Sequence, residues 1–153
     1  MLRSKAGQEG CDVYIPPLTY IYTDGVALPQ GPVDFPTTTS ILIFNAAIAN
    51  HLFARVQGRK EASLRYLRKA KKLYVLAHEG QENSDVNFLF HIAIINNLAM
   101  VDLAIGDLES AHKSFEYMVS LMMLQLDQGY DLSSHLHDFL SNIPIAIKAA
   151  PAA

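Results

Sequence analysis

Cysteine and charge are both scarce in this chain, and each scarcity narrows what the chain can be. Cys11 is the single cysteine, so neither an internal disulfide nor a multi-cysteine metal site can form, and the usage fits a reducing compartment. Charged residues make up 18% of the chain, below the ~25% typical of soluble domains. More of the surface than usual is therefore expected to be apolar, or covered by a partner or a second copy. No glycine-rich phosphate loop, Ser-His-Asp spacing or paired-carboxylate motif occurs, which points away from an enzyme. Residues 1–10 are polar, with Arg3, Lys5 and Glu9, and lack the apolar stretch of a secretory signal. A cytoplasmic protein is expected, with the nucleus as the other compartment. The most apolar window, 86–105, is interrupted by His91, Asn96, Asn97 and Asp102. An Asp at a bilayer centre costs ~2.5 to 3.5 kcal/mol, so this window is expected to be a buried core helix and no membrane partner is expected.

What the chain does contain is enough for one domain: 153 residues, half of them apolar, build a core that needs no staples. Three regions separate by composition. Residues 1–36 hold short β-prone runs around Val13, Tyr20-Ile21-Tyr22 and Val26, punctuated by Pro16-Pro17 and by Asp24-Gly25, a hairpin turn signal. Pro29, Pro32 and Pro36 oppose regular helix. This region reads as an extended N-terminal arm, partly disordered, with room for one small hairpin over 19–28. Its tyrosines and isoleucine need a surface to cover. Residues 37–143 read as the helical domain and 144–153 as a flexible tail.

Within the domain, hydroxyls at 37–40 supply caps for a helix over about 40–56, where Ile41, Phe44, Ile48, Leu52 and Val56 form a buried stripe. A second helix over about 60–78 has Ala62, Tyr66, Ala70, Leu73 and Ala77 inside, widened by Leu67 and Tyr74. A third, about 86–105, is apolar nearly all round and is expected at the centre. Gly106-Asp107 ends it, and Asp107 caps a fourth over about 108–127, with Ala111, Phe115, Met118, Val119, Met122 and Leu126 inside. Ser133 or Ser134 starts a short fifth helix, stopped by Pro144. The whole is expected to be all-α.

Charge is uneven along this layout. Residues 59–72 carry a net +6 and the remainder −9. Arg65, Arg68, Lys69 and Lys72 share one face, which reads first as a solvated helix face, then as a site for an acidic partner. Nucleic-acid binding would want more exposed aromatics or a recognised fold, so no nucleic acid is expected. Six histidines raise the question of a metal. His135 and His137 are wrongly spaced for one helix face, and His51 with His91, on the first helices of the two hairpins, would give two ligands where zinc takes three or four. No metal and no cofactor is expected.

Asn97-Leu98-Ala99, Gly106-Asp107, Ala111 and Phe115 together resemble one tetratricopeptide repeat (TPR) motif, with Ile95 in place of its first aromatic and Met118 in place of a usual small residue. A second, degraded copy resembles it through Asn45-Ala46-Ala47, Gly58, Ser63, Leu67 and Ala70. Ser63 and Ala111 stand 48 residues apart, against the usual ~34, so the helices are elongated. The resemblance implies antiparallel helical hairpins stacked as a short right-handed superhelix. It also implies that the first helix of each hairpin lines a concave face where asparagines hold a peptide backbone. Carried over, the candidate partner-binding residues are Phe44, Asn45, Ile48 and His51 in the first hairpin and Ala93, Asn96, Asn97, Met100 and Ala104 in the second. Phe44, Ile48 and Ala93 replace the basic residues of the family's clamp for acidic peptide ends. An asparagine on so apolar a helix can equally bond a neighbouring helix or loop carbonyl. The leading expectation is a non-enzymatic module binding another protein, as peptide or helix, in a shallow groove. Its rival is a homodimerisation domain burying the same apolar surface, with Met118, Met122 and Met123.

Overall fold

Apolar side chains at three- and four-residue steps fold each helical segment onto the next. The structure, a computed structural model, describes residues 21–28, 35–80, 88–127 and 133–142. Among these residues are five helices in order, α1 (Phe35–Val56), α2 (Lys60–Glu79), α3 (Phe88–Ile105), α4 (Leu108–Asp127) and α5 (Ser133–Leu140), and no strand. The protein is all-α. Its main packing runs between sequence neighbours, α1 on α2, α2 on α3 and α3 on α4. Because α1 and α2 are joined by residues 57–59, and α3 and α4 by Gly106 and Asp107, each packed pair is an antiparallel hairpin.

The first helix starts earlier than its sequence suggests. Pro36 lies in its opening turn, where the missing N–H has no intrahelical carbonyl to bond; proline excludes helix further in, not here. The hydroxyls at 37–40 are consequently inside the helix, and Thr39 Oγ1 donates to the Phe35 carbonyl at 2.8 Å. Val56, assigned to the stripe, is exposed. In α2 the buried face is Ser63, Leu67, Ala70, Tyr74 and Ala77, so Leu67 and Tyr74 stand at its centre and Ala62, Tyr66 and Leu73 at its margin. Gly80 follows at a close helix approach: a Cβ there would collide with Ser40 Oγ on α1.

The central helix is α3, buried almost continuously from Phe90 to Ala104. By length and composition α1 and α3 would each be apolar enough to cross a membrane, but 72% of the α3 window is buried inside this protein. Its end is a Schellman turn. Gly106 has φ 85° and is the one described residue with a left-handed backbone; Gly106 N–H bonds the Leu103 carbonyl at 3.1 Å and Asp107 N–H the Asp102 carbonyl at 2.9 Å. Asp107 then caps α4, its Oδ1 accepting from the Ser110 N–H at 3.2 Å. From α4, Ala111, Phe115, Met118 and Met122 are buried, while Leu126 is exposed.

Residues 21–28 have no regular secondary structure. A two-residue Asp-Gly hairpin of the favoured type needs positive φ at both central residues, and neither Asp24 nor Gly25 has it. The main-chain groups that a hairpin would have paired are bonded elsewhere. The remainder of the arm, the start of the segment before α3, the serine caps of α5 and the tail lie outside the described residues or side chains.

Candidate functional site

Two asparagines, one on α1 and one on α3, take hold of the segment that precedes the helices. Asn97 Oδ1 accepts from the Tyr22 N–H at 2.8 Å, and Asn97 Nδ2 donates to the Tyr22 carbonyl at 2.8 Å. Asn45 does the same four residues further along the segment: its Oδ1 accepts from the Val26 N–H and its Nδ2 donates to the Val26 carbonyl, both at 3.0 Å. A carboxamide offers one acceptor and one donor side by side, so each asparagine replaces the neighbouring strand that would otherwise pair with these residues. The grip reads main chain only.

The Tyr22 side chain is seated among aromatic rings. Its ring stacks on Phe139 of α5 at 6.0 Å between centroids and tilts against Phe44 of α1 at 6.4 Å. Phe44 in turn meets Phe90 edge-on at 5.0 Å and Tyr74 at 5.8 Å. Ile21 and Tyr22 are buried and Val26 packs half-buried on the core. Burial, with the Asp24 charge adding to it, raises the Tyr22 hydroxyl above its ordinary pKa.

The Asn97 end is set in a buried polar chain. Asn142, just past α5, donates to Asn96 Oδ1 at 2.8 Å, and Asn96 donates to Asn97 Oδ1 at 3.1 Å. Asn97 Nδ2 also reaches the Tyr74 hydroxyl at 3.3 Å, which lies 3.4 Å from His51 Nδ1. Burial, and then the nearby Arg55 charge, lowers the His51 pKa to about 3. The imidazole is therefore neutral near pH 7, and its Nδ1 can accept a hydrogen bond from the Tyr74 hydroxyl. Asn96, Asn97 and Asn142 are fully buried, and a satisfied network of this kind fixes one arrangement of its members.

An ion pair pins the hairpins beneath this site. Lys71 Nζ of α2 lies 2.7 Å from Asp102 Oδ1 of α3 and 2.9 Å from Asp107 Oδ2 at the α4 cap. Burial works against the Lys71 ammonium, but its bonds to both carboxylates leave its pKa raised. Burial raises Asp102, partly offset by Lys71, whereas Asp107 is lowered chiefly by its Lys71 bond.

Of the nine residues carried over from the repeat resemblance, Phe44, Ile48, His51, Ala93, Asn96, Asn97, Met100 and Ala104 are buried, and Asn45 is half-buried. These residues present no open groove: residues 21–28 bond to Asn45 on α1 and to Asn97 on α3. Asn45 and Asn97 do contact a peptide backbone, the chain's own. Asn96 supports Asn97, and His51 faces Tyr74. His51 and His91 do not pair with each other through any bond described. His91 Nε2 is 3.0 Å from His78 Nε2, and its pKa is lowered by burial and then by His78. Among the described residues no cluster of three His, Cys, Asp or Glu side chains is placed to hold a metal. Tyr74, Phe139 and Asn142 were invisible as site residues. Tyr74 carried only a helical-face signal, and Asn142 carried none.

Comparison with known protein families, curated proteins and solved structures returns no significant match to this chain.

Proposed function

We propose that the protein is a non-enzymatic interaction module, a divergent TPR-like pair of hairpins. On this reading it binds another protein's peptide along the α1 and α3 face now covered by residues 21–28. One observation carries this reading: Asn45 and Asn97 each hold both main-chain groups of a single residue. Such a grip is indifferent to which chain supplies the backbone. Further support comes from α1 and α3 being the first helices of the two hairpins, the helices that face ligand in the repeat family. The rival homodimer surface loses support from Met118 and Met122, which are spent on the core, leaving Met123 exposed.

The test is selection of a random peptide library on the full chain carrying Val26→Pro, which removes the N–H that Asn45 accepts. Peptides that bind this chain and are lost when Asn45→Ala is added support the module. A folded chain that selects no peptide refutes it.

A further inference from the structure

The segment seated on the clamp specifies what else can sit there. Tyr22 and Val26 are four residues apart, and in an extended chain residues at even spacing present their N–H and C=O groups on the same edge, ~13 Å apart for four steps. Asn97 holds both main-chain groups of the first of these residues and Asn45 both of the last, the pairing such an edge would offer. Between them Thr23, Asp24 and Gly25 are exposed and leave little demand on sequence. A Cβ at Gly25 would come no closer than 3.8 Å to Asn45 Oδ1, so side chains are tolerated there. The demanding positions are the first, where the ring packs between Phe44 and Phe139, and the last, where a small aliphatic residue packs on the core.

Resting on the interaction-module reading, we propose that the partner of this site is an extended peptide with an aromatic residue followed four positions later by valine or a similar small aliphatic residue. Residues 21–28 are the built-in competitor that this peptide displaces. The two asparagines hold the main chain, the Phe44 and Phe139 rings take the aromatic side chain, and the exposed middle of the segment admits variation. The competitor belongs to the same chain as the clamp, so a free peptide of equal intrinsic affinity binds the intact chain far more weakly than it binds a vacated clamp.

The probe is a fluorescein-labelled synthetic peptide with the sequence of residues 19–28, titrated by anisotropy into the parent chain and into full-length Val26→Pro and Tyr22→Ala variants. Val26→Pro alters a half-buried end of the segment and serves if Tyr22→Ala, which empties a ring site, unfolds the protein; helical circular dichroism decides this. Weakening the segment's hold is expected to tighten peptide binding by about five- to tenfold, the effect of losing one main-chain bond of roughly 1 to 1.5 kcal/mol. In the peptide, replacing the tyrosine matching Tyr22 by alanine, or the valine by proline, is expected to weaken binding to the opened chain by about tenfold. A folded Val26→Pro chain that binds no better than the parent overturns the proposal, as does equal binding of the peptide lacking its aromatic residue. A parent chain that proves by light scattering to be a dimer held by exchanged segments overturns it too, since a second copy would then be the occupant. Library peptides selected by the opened chain without the aromatic pattern refute this inference and leave the interaction module standing; selection of none refutes both.

Discussion

Asn97 closes both main-chain hydrogen bonds of Tyr22, at 2.8 Å each, across 75 residues of sequence. The same amide accepts from Asn96 and donates toward Tyr74, so one side chain ties the segment before α1 to α2 and α3 at once. Loss of that amide strands several buried polar groups, and each such group costs about 1 to 3 kcal/mol. Asn97→Leu is expected to destabilise the fold by about 3 kcal/mol or more in urea unfolding, and to abolish slow hydrogen exchange at the Tyr22 amide. Asn45→Ala, at a half-buried position, is expected to cost about 1 kcal/mol, to free the Val26 amide and to speed exchange at the Tyr22 amide by a smaller factor.

His51 makes the fold acid-labile. Its folded pKa of about 3 lies below the ordinary 6.5, so the unfolded chain binds the extra proton between those values. The stabilisation is complete above pH 6.5 and is lost as pH falls toward 3. From pH 7 to pH 5 the His51 contribution is expected to fall by about 2 kcal/mol. His91, lowered in the same direction, adds to the loss. Urea midpoints at the two pH values measure it, and His51→Gln is expected to flatten most of the difference.

Lys71 is the counter-ion of a carboxylate that is 2% exposed, Asp102. Removing one member of a buried pair leaves the other charge uncompensated, at roughly 3 to 5 kcal/mol. Because the Lys71 side chain is 30% exposed, solvent screens part of this, and Lys71→Met is expected to cost about 2 kcal/mol. Lys71→Met/Asp102→Leu is expected to recover most of that loss. Thermal unfolding of the single and double variants gives both values.

Gly106 has no heavy atom within 4 Å of a would-be Cβ, so the left-handed backbone alone resists substitution there. Gly106→Ala is expected to cost about 1 to 2 kcal/mol in denaturant unfolding. Gly58→Ala, which also meets open space and carries no such conformation, is expected to be near neutral.

Much of the architecture is written in short-range pattern. The Gly106-Asp107 pair announces a helix stop and a helix start because both signals are local: a left-handed residue and a carboxylate cap act within one turn. The near-uniform apolarity of α3 announces its central place. Periodicity placed α2 within a residue or two, but not the centre of its face, since Tyr66 and Tyr74 look alike until the neighbouring helices choose between them. Pro36 misleads because its effect depends on where the helix begins, which the proline does not itself decide.

The amino-acid sequence alone determines that this chain is helical, where its helices stop, and that asparagines lie on the first helix of each hairpin. Those are consequences of hydrogen bonds and side-chain spacings within a few residues. Which backbone the asparagines hold is a tertiary matter. A carboxamide bonds any peptide group brought to it, and only the folded chain brings Tyr22 to Asn97 and Val26 to Asn45.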